Sequence, residues 1–104
     1  MAGLDITPPG NEARTLRPWG WFETLAVGDG YRVKRLFLAP GQRLSRQRHR
    51  HRCEEWIVAA GSGRLERDGE PFDAMPGTVL AVPRGAVHRA AAAAGQALVI
   101  IEVQ

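Results

Sequence analysis

The residues of this 104-residue chain whose type and spacing point to chemistry are its three histidines, His49, His51 and His88. The first two stand two apart in RLSRQRHRHRCEEW (43–56). On an extended strand, residues two apart share a face, so both imidazoles could reach one ion. The carboxylate that keeps their parity is Glu55, whereas Glu54 has the wrong parity unless a bulge intervenes. His88 follows the apolar run GTVLAVP and an Arg84-Gly85 turn, which would return a distant imidazole to the same place. Three neutral imidazoles and one carboxylate suit one divalent transition metal (Zn, Mn, Fe, Ni or Co) without selecting among them, and they leave open positions for a substrate.

The same stretch alternates with arginines. If 43–52 is a strand, Arg46, Arg48, Arg50 and Arg52 share the face opposite the histidines. Turning that face inward would bury four uncompensated charges, which is prohibitive, so the arginines are expected to form a solvated outer face. All but one of the 14 basic residues are arginine, yet 11 acids leave a net charge of only +3. That balance gives little ground for a nucleic-acid partner, and none is expected. The single cysteine, Cys53, excludes an internal disulfide and is expected to be a small buried apolar residue in a cytoplasmic protein.

The elements that must position these side chains are short. Apolar runs such as WGWFETLAV, YRVKRLFLA, EEWIVAA, TVLAVP and LVIIEV are separated by Gly, Pro and Asp. Their lengths, their Val/Ile/aromatic content and turn signals every 8–12 residues describe strands. Gly28-Asp29-Gly30 and Asp68-Gly69 suit tight hairpins. The five alanines at 90–94 are too few to nucleate a helix and read as a strand end and loop. The fold class is therefore all-β, a single domain of about eight strands closed as a barrel or two-sheet sandwich. Residues 1–13 read as a loose arm, and 14–104 as the barrel domain. No run approaches the roughly 18 apolar residues of a membrane span, so no membrane partner is expected.

With these residues in place, the chain resembles the cupins, jelly-roll barrels of the double-stranded β-helix type. Gly77, Pro83, Gly85 and His88 match one cupin motif, and His49, His51, Glu55 and Gly61 match the other. Inside that superfamily, RPWGWFE (17–23), VKR (33–35), PGQRLSRQRHRHRCEEWIV (40–58), VPRGAVHR (82–89) and IIEVQ (100–104) resemble the barrel domain of type II mannose-6-phosphate isomerases. That domain usually follows a nucleotidyltransferase domain, and its zinc motif reads Q-x-H-x-H-R-x-E-H-W. Here position 55 is Glu where the family has His, and the family's C-terminal tail and nucleotidyltransferase domain are not part of the sequence.

The resemblance implies a metal held by His49, His51, Glu55 and His88 and an aldose–ketose isomerisation of a hexose phosphate. Glu54 or Lys34 would be the catalytic base, and Arg52 a further catalytic group. Gln47 would touch a ligand histidine or a substrate hydroxyl. Arg89 or Arg52 would clamp the phosphate. Trp56, one residue past Glu55, is expected to face away from the site. Trp19 and Trp21 are expected in packing, and exposed aromatics on that first strand would support a homodimer. Two other readings remain open: a different cupin metalloenzyme with the three-His, one-Glu set, such as a dioxygenase, and a non-catalytic sugar- or metabolite-binding module.

Overall fold

The computed structural model describes residues 14–104. The expected arm at 1–13 lies outside the described residues. Nine strands run in order among the described residues: β1 (Thr15–Arg17), β2 (Gly20–Gly28), β3 (Tyr31–Leu38), β4 (Glu54–Gly61), β5 (Gly63–Arg67), β6 (Glu70–Ala74), β7 (Val79–Val82), β8 (His88–Ala92) and β9 (Leu98–Val103). They form a six-stranded sheet of order β1-β2-β3-β9-β4-β7 and a three-stranded sheet of order β6-β5-β8. Every strand pairing is antiparallel. No helix among the described residues is long and apolar enough to cross a membrane.

The turn signals act where the sequence places them. Asp29 and Gly30 close the β2–β3 hairpin, whose last pair is Gly28↔Tyr31. Asp68 and Gly69 close β5–β6 with φ of 51° and 80°, the left-handed pair of a type I′ turn. The alanine run continues β8 through Ala92 and then leaves the sheet, as its length requires.

Alternation sets what each strand buries. Along β9, Leu98, Ile100 and Glu102 face inward, and along β8, His88, Ala90 and Ala92 do so. Leu38, Trp56, Leu98 and Ile100 of the large sheet meet Leu65 and Ala90 of the small one in a single core. Gly61 makes one close approach possible: a Cβ there would lie 1.8 Å from the Ala97 carbonyl oxygen, and its φ is +88°.

One expected strand is missing. Residues 43–52 are irregular, with the isolated bridges Arg43↔Ala91 and Gln47↔His88 in place of a continuous ladder. A bend at Arg50 and His51 interrupts the alternation before β4 begins. Just before the bend the less exposed positions are odd (Gln47, His49), and after it they are even (Glu54, Trp56, Val58). The parity count carried through this segment therefore ends one residue out.

Candidate metal centre

His49, Glu54 and His88 offer ligand atoms that all lie within 4.8 Å of one another. His88 opens β8 and is locked on both sides. Its backbone exchanges two hydrogen bonds with Gln47, at 2.9 and 3.0 Å, and it pairs in register with Arg67. Asp68, from the β5–β6 turn, holds the residue before it, accepting the Val87 N–H at its carboxylate and donating its own N–H to Val87 O. His49 is anchored from the other side, where its carbonyl accepts the Gly85 N–H at 2.8 Å. Glu54 is the first residue of β4 and points inward beside Trp56 and Val58.

The contacts inside the cluster fix the His88 tautomer. His88 Nδ1 lies 3.1 Å from the Ala86 carbonyl, and only a donor faces a carbonyl, so Nδ1 carries a proton. In the neutral ring Nε2 is then a lone pair, and it lies 3.0 Å from Glu54 Oε1. Two acceptors at that distance repel unless they share a cation. His88 Nε2 and both Glu54 oxygens are buried without a well-aligned hydrogen bond. The cation can be a proton or a metal ion, and two imidazoles and a carboxylate are a donor set that divalent transition metals take. The residues present fit such an ion.

Burial alone would lower the His88 pKa, but its contacts to Glu54 and the Ala86 carbonyl outweigh that and raise it. Burial would raise the Glu54 pKa, yet His88 and the Arg52 charge hold it below the ordinary carboxylate range. His49 is lowered, by burial first and then by Arg52, His88 and Lys34 against the pull of Glu54. Its Nε2 faces Arg52 Nη2 at 3.1 Å, and a guanidinium only donates, so Nε2 accepts there. The same Arg52 nitrogen lies 3.1 Å from Glu54 Oε2.

His49 and Arg52 open onto a cavity of about 550 Å3, whose wall also includes Gln47, Lys34, Phe22 and Glu102. Gln47, Lys34 and Arg52 line this cavity. Other expected positions need correction. His51 is exposed in the bend and Glu55 is exposed on β4, and neither joins the cluster. The bend removes the extended geometry that would have put His49 and His51 on one face, and it passes the inward position from Glu55 to Glu54. Glu54, expected as a base, is instead part of the cluster. Arg89 alternates outward from His88 and lies 3.7 Å from Glu66, away from the cavity. Trp56 shares the face of Glu54 and is fully buried rather than turned away. Cys53 is exposed, not buried.

One buried carboxylate of the cavity was not singled out in the sequence. Glu102 is buried, and its Oε2 accepts the Trp56 indole N–H at 3.1 Å while Oε1 accepts from Gln104. Burial and the Glu54 charge push its pKa up, against Gln104, Trp56 and Lys34. The signal was available: Leu98 and Ile100 mark the inward series of LVIIEV, and Glu102 is a carboxylate on that same series.

Residues 10–104 match the model of the family described as "Mannose-6-phosphate isomerase C-terminal". The chain is 37% identical over 94 residues to the alginate biosynthesis protein AlgA of Pseudomonas aeruginosa, covering 90% of this chain and 20% of that protein. It is 40% identical over 72 residues to the mannose-1-phosphate guanylyltransferase of Escherichia coli K12, covering 69% and 15%. The chain thus spans one fifth or less of the length of these curated relatives. Among solved structures, KdgF from Halomonas sp. superposes with a TM-score of 0.78 at 20% identity, covering 86% of this chain and 81% of that one. A cupin 2 conserved barrel domain protein from Salinispora arenicola CNS-205 gives 0.78 at 20%, covering 97% and 87%. These likenesses show a cupin fold.

Proposed function

The chain belongs to the mannose-6-phosphate isomerase C-terminal family, and from that premise we propose a metal-dependent aldose–ketose isomerase of hexose phosphates. His49, Glu54 and His88 would hold one divalent transition metal at the edge of the cavity. The observation that carries this reading is the 3.0 Å approach of His88 Nε2 to Glu54 Oε1, two buried acceptors that require a shared cation. When bound, the metal supplies Lewis acidity toward the carbonyl and hydroxyl oxygens at C1 and C2 of an open-chain sugar.

The chain's own residues do the rest. With Glu54 committed to the cluster, the role of base passes to Glu102, a cavity carboxylate whose raised pKa suits it to take and return a proton. The proton leaves C2 of the aldose and returns to C1, so the reaction needs no oxidant or reductant. Trp56 and Gln104 fix the carboxylate's orientation. Gln47 and Arg52, on the same wall, orient substrate hydroxyls. The dioxygenase alternative rested on the three-His, one-Glu set, and it loses support because His51 and Glu55 stand outside the cluster.

The outer face of the six-stranded sheet supports pairing with a second copy. Trp21 stacks on Phe37 there with centroids 5.2 Å apart, and Val79 is more than half exposed. Its charges Glu23 and Arg35 neutralise each other. Sedimentation should give a dimer, and a monomer at all concentrations would remove this part of the proposal.

The reaction is tested by incubating the protein with mannose 6-phosphate or fructose 6-phosphate in heavy water, with zinc, manganese or cobalt. The proposal expects the sugar's C2 hydrogen to exchange with solvent and the two sugars to interconvert. No exchange with any of the three metals rejects the reaction.

A further inference from the structure

Arg52 places one nitrogen on two groups of the cluster. Its Nη2 lies 3.1 Å from His49 Nε2 and 3.1 Å from Glu54 Oε2. The two Glu54 oxygens are thereby divided. Oε1 faces the imidazoles, 3.0 Å from His88 Nε2 and 3.7 Å from His49 Nε2, while Oε2 faces the guanidinium. The other ion-paired arginines among the described residues meet Glu23, Glu66 and Asp73, away from the cluster.

An imidazole nitrogen without a proton has one lone pair, in the plane of the ring. On His49 Nε2 that lone pair accepts from Arg52, and Nε2 is also the ring nitrogen that His49 turns toward Glu54. A metal ion and Arg52 therefore cannot hold it together, and one must displace the other. Charge adds to the exclusion, because a guanidinium on a ligand atom repels an incoming cation.

Burial decides which group yields. The Glu54 and His88 side chains are each 1% exposed, and both residues are fixed in strands. The Arg52 side chain is 42% exposed and follows the bend at Arg50 and His51, outside any strand. It lines the cavity beside Gln47 and His49, so its head has room to turn there. Its second partner, Glu54 Oε2, is not the oxygen nearest to either imidazole and can stay as the pivot.

We propose that Arg52 is a counter-ligand of the cluster: its guanidinium closes over His49 and Glu54 when no metal ion is bound, and a metal ion turns it on Glu54 into the cavity. Metal loading and binding in the cavity are thereby coupled. The N–H that leaves His49 becomes free to donate to an oxygen of a bound molecule. By reciprocity, a molecule that engages Arg52 tightens the metal. The inference rests on the metal-centre reading above, and not on the isomerase reaction.

The first measurement reads Arg52 itself in the parent protein. Phenylglyoxal modifies accessible guanidinium groups, and peptide mass spectrometry separates Arg52 from the exposed Arg48 and Arg50. In chelated protein Arg52 should react several-fold more slowly than those two. Saturation with zinc should remove most of that protection and leave Arg48 and Arg50 unchanged. The second measurement is zinc affinity by chelator competition. Arg52→Met removes the donor and should tighten zinc about tenfold or more, the scale of one hydrogen bond to a charged group. Lys34→Gln removes a cation of the same cavity wall and should change affinity much less, which separates displacement from simple repulsion.

Zinc that leaves the Arg52 rate unchanged, or an Arg52→Met variant that binds zinc no better than the parent, overturns the proposal. So does an equal gain in Lys34→Gln, which would make charge alone the cause. If those results fail while zinc still depends on His49 and His88, the metal centre stands without its counter-ligand. If zinc binds neither the parent nor Arg52→Met, both fall. An Arg52 that responds to zinc in a protein that exchanges no C2 hydrogen supports the proposal and rejects the isomerase.

Discussion

Trp56 packs edge-on against His88, with ring centroids 5.1 Å apart and planes 74° apart, and both side chains are fully buried. The same indole donates to Glu102, so one side chain supports a cluster histidine and orients the proposed base. Trp56→Phe keeps most of the aromatic volume and removes the donor. It should cost about 1–3 kcal/mol, the penalty for a buried acceptor left unpaired. Thermal unfolding that matches the parent would show that the bond contributes nothing. The variant should also shift the pH profile of C2 exchange, since Glu102 loses a contact that favours its charged form.

The ligand assignment separates neighbouring residues. His49→Ala, His88→Ala and Glu54→Gln should each weaken zinc binding by at least tenfold, whereas His51→Ala and Glu55→Gln should leave it near the parent value. Titration with a chromophoric chelator measures this. A loss on Glu55→Gln with none on Glu54→Gln would return the carboxylate to the position that simple alternation gives.

The pH dependence runs in opposite directions with and without metal. In chelated protein, His88 has its pKa raised, so its contact with Glu54 stabilises fully below the unfolded value near 6.5 and is lost as pH rises through the folded value. Glu54 has its pKa lowered, so its contribution is present above the ordinary value and is lost as pH falls through the depressed one. Thermal midpoints should therefore peak between these limits, and Glu54→Gln should flatten the peak by about 3 kcal/mol. Zinc needs neutral His88, so its occupancy should fall as the solution is acidified. Full zinc content down to pH 5 would contradict this.

Gly61→Ala should be among the most disruptive small substitutions in the chain. The added carbon would meet the Ala97 carbonyl at 1.8 Å, and a φ of +88° is unfavourable for alanine. The expected loss exceeds 2 kcal/mol, read from urea midpoints. Gly69→Ala, with open space around it, should cost less and serves as the comparison.

The arginine strip should prove nearly silent. Arg46 pairs with Glu66 at 2.9 Å on the surface, an interaction worth at most about 1 kcal/mol, and Arg48 and Arg50 are exposed. Replacing all three with Gln should leave fold and metal content intact. Salt-sensitive, submicromolar binding of the parent to duplex DNA would contradict this reading.

The strands were legible wherever apolar runs met turn residues, because Asp-Gly pairs and alternation act locally. Motif spacing singled out His49 and His88, which the fold brings into one cluster, and the family resemblance singled out Gln47, Lys34 and Arg52, which line the cavity beside it. The choice between Glu54 and Glu55 was not, since counting by twos assumes a continuous strand and the bend at Arg50 and His51 breaks it. Arg89 was misplaced for a related reason: it follows His88 by one on a regular strand and must face the other way.

The position of β9 bears on how the molecule comes into being. β3 and β4 never touch as neighbours; they are joined only through residues 98–103, the last strand of the sequence. During synthesis the β2–β3 hairpin and the β4 region must wait as separate halves, each with one unsatisfied edge, until β9 leaves the ribosome. Lys34 belongs to one half and Glu54 to the other, so the cavity wall and the cluster beside it do not meet in the nascent chain. Folding is thereby dominated by distant pairings and is expected to be slow. A stall or truncation just before Leu98 would release two open sheet edges that invite association with other chains.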